Sequence, residues 1–189
     1  MALLMNSRRI SQPPTPRRLA GLFAAALAGA CLANAQAVGE YELKAAFLYN
    51  FARFVEWPAQ AFKEPGDPIK VCILGQNPFG SALDKTLQGK LASGRPFVVE
   101  QIPDPRHASG CQILFVSLSE QKRVHAILAA ATPGVLTVGD RGGFAEQGGV
   151  VDFKLEDDRI RFEINVTAAV KQGLHVSAKL LSLAKIVRK

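Results

Sequence analysis

The chain has 189 residues with a formal net charge of +7, 48% apolar residues and only three cysteines and three histidines. Four arginines, Arg8, Arg9, Arg17 and Arg18, lie in an acid-free N-terminal stretch, and without them the balance falls to +3. That is too mild a charge for a nucleic-acid binder, and so few scattered cysteines and histidines exclude a dedicated metal scaffold.

The first segment reads as a secretory leader. Its arginines form a basic n-region, Leu19 to Leu32 an apolar h-region, and Ala33-Asn34-Ala35 an A-x-A cleavage site. Cleavage after Ala35 leaves 36–189 as a single domain, long enough to bury an ordinary core. The h-region is too short for a stable anchor. The expectation is an exported, periplasmic domain.

Glu40 to Pro58 predicts a deeply packed helix. At helical spacing Leu43, Phe47, Phe51 and Phe54 fall together, with Glu42, Tyr49, Arg53 and Glu56 opposite, and Pro58 ends it. Ile69 to Leu74, IKVCIL, is short and apolar enough for a buried strand. Asn77 and Pro78 then open a helix from about Phe79 to Leu87 as cap and first residue. Phe97 to Val99 and Gln112 to Val116 are further strands, with Ile102 to Gly110 a loop or short helix between them. Ser117-Leu118-Ser119-Glu120 has capping-box spacing ahead of a helix to Ala131. Val135 to Val138 is a fourth strand, followed by the glycine-rich loop Gly139 to Gly149.

Strict alternation then appears. Val151, Phe153 and Leu155, and after an Asp157-Asp158 turn Ile160, Phe162 and Ile164, predict an antiparallel hairpin with one buried face. Alternation puts Asp152, Glu156 and Glu163 on its solvated face. Asn165 caps a short helix ending at Gly173, and Ser177 caps a last helix over Ala178 to Val187. The fold class is α/β: a mostly parallel sheet with flanking helices, three-layered and Rossmann-like, plus a C-terminal antiparallel hairpin.

Removal of the leader takes Cys31 with it and leaves Cys72 and Cys111. In an oxidising compartment a disulfide is favoured over two buried thiols and over redox chemistry. Cys72 lies inside the first buried strand and Cys111 just before the third, which a doubly wound order makes neighbours, so a bond is geometrically feasible.

No catalytic constellation stands out. There is no G-x-S-x-G elbow, Ser117 is better explained as a cap, and the turn at Gly75 to Gly80 lacks both phosphate-loop patterns. No metal or cofactor is expected. Two other readings stay open: a small-ligand-binding periplasmic protein using the turn around Asn77, and a hydrolase of unfamiliar layout.

EYELKAAFLYNF at Glu40 to Phe51, FVEWP at Phe54 to Pro58, VCILGQNPFG at Val71 to Gly80, CQILFVS at Cys111 to Ser117, LTVGD at Leu136 to Asp140, IRFEIN at Ile160 to Asn165 and GLHVSAKLLSLA at Gly173 to Ala184 occur in order. Together they resemble the YfiR-like family of periplasmic regulators. The resemblance implies a non-enzymatic, dimeric α/β domain that binds the periplasmic sensor of an inner-membrane diguanylate cyclase and represses it. Cyclic di-GMP and biofilm formation then stay low until an outer-membrane-side sequestering protein, or reduction, releases the cyclase. It also implies that Cys72 and Cys111 form a family disulfide. A second cysteine pair of some members would fall around Phe144 to Asp152, where this chain has none. For the partner-contact surface we expect the loop Gly139 to Gly149 and the hairpin residues Lys154, Arg161 and Glu163, because loops and unexplained polar faces carry recognition.

Overall fold

The computed structural model describes residues 39–140 and 142–188; the expected leader lies outside them. Residues 39–54 form helix α1. Then follow β1 (Val55–Glu56), β2 (Ile69–Leu74), α2 (Ala82–Leu87), β3 (Leu91–Ala92), β4 (Arg95–Ile102), β5 (Ile113–Val116), α3 (Val124–Ala130) and β6 (Leu136–Gly139). The chain continues with β7 (Val151–Glu156), β8 (Arg159–Asn165), α4 (Val166–Lys171), β9 (His175–Val176), α5 (Ala178–Leu181) and β10 (Lys185–Val187).

One eight-stranded sheet has the order β10-β8-β7-β6-β5-β2-β4-β3, and β1 and β9 form a separate antiparallel pair. Pairing is parallel from β4 through β2, β5 and β6 to β7, and antiparallel within the β7–β8 hairpin and at β3–β4. The expected α/β architecture is therefore present, with the hairpin built into the sheet beside β6.

Alternation along the central strands divides the core into two layers. Val71 and Ile73 of β2 with Ile113 and Phe115 of β5 pack with α1, α2, α4 and α5, while Cys72, Leu74, Leu114 and Val116 pack with Val124 and Ile127 of α3. Both faces are covered, which is why these strands read as unbroken apolar runs.

Several boundaries differ from expectation. The first helix stops at Phe54 rather than Pro58, because Val55 and Glu56 pair with Val176 and His175. Its buried line is Lys44, Ala45, Leu48, Phe51 and Ala52, whereas Leu43 is 46% exposed. The helix after β2 begins at Ala82, since Gly80 takes a positive φ of 54° and breaks the preceding turn. Asn77 caps no helix; its Oδ1 accepts from Phe79 N in a local turn. The box at Ser117 does not form either: Leu118–Arg123 is a 3-10 turn without a side-chain cap, and Glu120 pairs with Arg123 at 3.0 Å.

The last helix ends at Leu181. Of this segment Leu180 is buried in the core, with Leu181 and Ala184 packed against it; Lys185–Val187 lies parallel to β8, whose edge groups it satisfies. Asn165 and Ser177 do cap their helices, accepting from Ala168 N and Leu180 N. The Asp157-Asp158 turn has both φ angles positive, at 49° and 56°, as a two-residue hairpin turn requires.

Candidate functional site

Cys72 and Cys111 are joined by a disulfide with Cα atoms 5.9 Å apart and a sequence separation of 39. The β2–β5 pairing sets this geometry, since Cys72 lies opposite Leu114 and the chain enters β5 from Cys111. Both cysteines are buried against Leu74, Ile102 and Leu114. In the loop-entropy model a closure of this length stabilises by roughly 3–4 kcal/mol.

The topological switch point lies between β2 and β5, where the connections diverge to opposite sides. The chain's own side chains fill part of it. A Cβ on Gly75 would come 2.4 Å from Ser119 Oγ, Gln76 N donates to that same oxygen at 3.0 Å, and Gln101 Nε2 donates to Gly75 O at 3.0 Å. Beside these contacts an open cleft of about 450 Å³ remains, lined by Gly75, Gln101, Ile102 and Pro103, at the place of the small-ligand expectation. A cleft of about 560 Å³ lies elsewhere, between the end of α1 and the segment leading into β2, and includes Arg53, Trp57, Phe62 and Arg95. Arg95 stacks on Phe62 at 3.7 Å and donates to Asp67 O and Glu64 O.

The hairpin departs most from its expected chemistry. Asp152 is 0% exposed and Glu163 3%, so neither lies on a solvated face. Two other pieces of chain cover them: the glycine-rich loop, whose Phe144 N donates to Asp152 Oδ2 at 2.9 Å, and β10, whose Lys185 Nζ reaches Glu163 Oε1 at 3.0 Å. Cross-strand register sets Asp152 directly opposite Glu163, and Lys154 opposite Arg161. Lys154 Nζ lies 3.5 Å from Asp152 and 3.4 Å from Glu163, bridging the two carboxylates. Among the described residues Asp152 Oδ1 has no hydrogen-bond donor, and Glu163 Oε2 has only the 3.4 Å contact with Lys154.

The two carboxyls titrate in opposite directions. Burial pushes Asp152 up, and the Lys154 charge and the Phe144 amide only partly offset it. Burial also acts upward on Glu163, but hydrogen bonds from Lys185 and Lys154, with their charges, together hold it below the usual range. Of the three residues expected to meet a partner, Arg161 is exposed, Lys154 is half-buried in the bridge and Glu163 is internal. They are neighbours, yet only Arg161 presents a free surface.

The glycine-rich loop buries its centre, while Gly142, Glu146 and Gly148 stay exposed. Phe144 and Ala145 are buried, and a Cβ on Gly139 or Gly149 would fall 2.3 Å or 2.1 Å from the Phe144 side chain. Those glycines are there because an aromatic ring passes between them.

A second ionic group escaped the sequence reading. Lys44, 1% exposed, sits in the buried line of α1. Its Nζ lies 2.6 Å from Glu40 Oε1 and 2.6 Å from Asp140 Oδ1, while Tyr41 Oη donates to Asp140 Oδ2 at 2.8 Å. The available signal was a lysine in register with Leu48 and Phe51 and one turn after Glu40. Among the described residues no group of acidic, histidine or cysteine side chains could hold a metal ion, and no helix is long and apolar enough to cross a membrane.

Comparison with known proteins gives one family: the family described as YfiR/HmsC-like matches residues 41–185. No curated protein matches. Among solved structures, a conserved domain protein from Vibrio cholerae O1 biovar El Tor str. N16961 is similar at a TM-score of 0.46 and 11% identity over 64% of this chain. The match spans 55% of that structure's chain.

Proposed function

The chain belongs to the YfiR/HmsC-like family, and from that premise we propose that it is a non-enzymatic periplasmic regulator. In this reading it binds the periplasmic sensor domain of an inner-membrane diguanylate cyclase and holds the cyclase inactive, which keeps cyclic di-GMP and biofilm formation low. A homodimer is its working form, and an outer-membrane-side protein relieves repression by sequestering it. The observation that carries the reading is the family match across residues 41–185, a family that in general regulates diguanylate cyclase signalling.

Two features support it. A buried disulfide within one small domain suits an oxidising compartment. The buried carboxylates that resemble an acid pair are bridged by Lys154 and closed over by Phe144 and β10, which suits structure better than turnover.

Affinity capture with the full chain on detergent-solubilised inner membranes tests the reading, alongside cyclic di-GMP measured in cells with and without its gene. Recovery of a membrane protein bearing a cyclase domain, with a rise in cyclic di-GMP on deletion, is the expected result. No membrane partner and unchanged cyclic di-GMP refute it.

A further inference from the structure

Along the outer side of α1 and α5 runs an apolar groove of about 260 Å³. Phe47 and Phe54 of α1, Leu180 of α5 and Leu183 just beyond it form its sides, over the buried Phe162 of β8. Leu183 is 64% exposed, and Leu43, one turn before Phe47, is also open, which extends the apolar line. From Leu43 to Phe54 that line runs about 16 Å, some three helical turns. The volume falls below the roughly 300–1,000 Å³ of small-molecule pockets, so it suits anchoring side chains better than a whole metabolite.

The rim has one sign. Arg53 and Lys179 flank the groove, with the guanidinium carbon 5.5 Å and the ammonium 5.1 Å from the centre of the Phe54 ring. No acidic residue lines the groove, and among the described residues neither cation has an ion-pair partner. The same aromatic ring therefore holds two uncompensated cations beside an exposed apolar track. A second copy of this chain placed across a two-fold axis would set these like charges against their own images. An anionic occupant would neutralise them.

Resting on the regulatory reading above, we infer that this groove is the docking surface for an acidic amphipathic helix of the membrane partner. The helix lays apolar residues spaced i, i+3/i+4 over Phe47, Phe54 and Leu183 and places carboxylates against Arg53 and Lys179. This surface meets the hairpin at the buried Phe162, whose side chain alternates along β8 with those of Arg161 and Glu163.

Site-specific photo-crosslinking in cells, using the full chain with Leu183→p-benzoylphenylalanine, tests the inference. The matched control is Leu91→p-benzoylphenylalanine, at a comparably exposed leucine on the far edge strand β3. The expected result is an adduct at 183 and none at 91, with mass spectrometry placing it on a segment of an inner-membrane protein that alternates apolar and acidic residues at helical spacing. Arg53→Glu combined with Lys179→Glu lowers that adduct at least about tenfold without moving the melting temperature, and Asp/Glu→Lys changes in the captured segment restore it. An adduct to a second copy or to lipid overturns the inference. So does the absence of an adduct at 183 while the unsubstituted chain still captures its membrane partner. If the unsubstituted chain captures no membrane protein, the regulatory reading itself fails, and the docking surface with it.

Discussion

The two buried ionic groups are built from similar parts and solved differently. In the Lys44 group one ammonium serves two carboxylates at 2.6 Å, and the second oxygen of Asp140 accepts from Tyr41. In the hairpin group two carboxylates face each other across neighbouring strands and share Lys154 at 3.4 to 3.5 Å, and among the described residues Asp152 Oδ1 is left without a donor. The first ties α1 to the end of β6 with short, charge-assisted bonds. The second is held by longer contacts and retains electrostatic tension. Burial of charge is therefore no guide to stability until each oxygen and each ammonium has been matched to a partner.

The largest expected effect is at the first group. Lys44→Ala leaves Asp140 and Glu40 without their shared cation in a buried site and should cost about 3–5 kcal/mol in chemical denaturation. Lys44→Met keeps most of the packing and should cost nearly as much, because the loss is electrostatic. Adding Asp140→Asn should recover part of it, a non-additivity expected of groups in one network. If Lys44→Met were neutral, the contrast between the two groups would collapse.

Why one group was legible only in part and the other not at all follows from what a sequence pattern encodes. The β2 strand was clear because Ile69 to Leu74 is apolar on both faces, and the hairpin because alternation runs unbroken on each side of the Asp157-Asp158 turn. Period two separates Asp152 and Glu163 from Val151 and Ile164, but it does not say whether the polar face is open. Its cover comes from the Phe144 loop and from β10, which depend on tertiary placement. Residues 182–187 illustrate the ambiguity of short apolar runs: Leu183, Ala184 and Val187 fit a helical stripe, yet the chain goes to the edge of β8 as a strand. Lys44 was passed over because its partner Asp140 is 96 residues away. The disulfide was within reach because strand order alone places Cys72 beside the entry to β5.

A smaller effect is expected in the hairpin. Glu163→Gln removes the acceptor charge for Lys185 and half of the compensation of Lys154, a loss of about 1–2 kcal/mol for a charged hydrogen bond. The same change relieves Asp152 of a like charge across the strand pair, which limits the cost. Urea denaturation at neutral pH measures the balance. A loss as large as that of Lys44→Ala would mean that the hairpin group is as tightly coupled as the first.

The smallest effect, and the sharpest test of the contrast, is at Asp152. Its folded pKa lies above the ordinary 3.8, with burial as the leading cause. A carboxyl shifted this way binds its proton more tightly in the folded state, so its favourable contribution is fully present below the unfolded value and is lost as pH rises through the folded one. At neutral pH the ionised group works against the fold. Asp152→Asn keeps an oxygen for the Phe144 amide and places an N–H where Oδ1 has no donor. The stability of Asp152→Asn relative to the native chain should therefore rise with pH across that window. Glu163, held low by Lys185 and Lys154, gives the native chain an opposing slope. A difference that stayed flat with pH, or fell, would show that Lys154 and the Phe144 amide outweigh burial at Asp152, and the second group would then be as well compensated as the first.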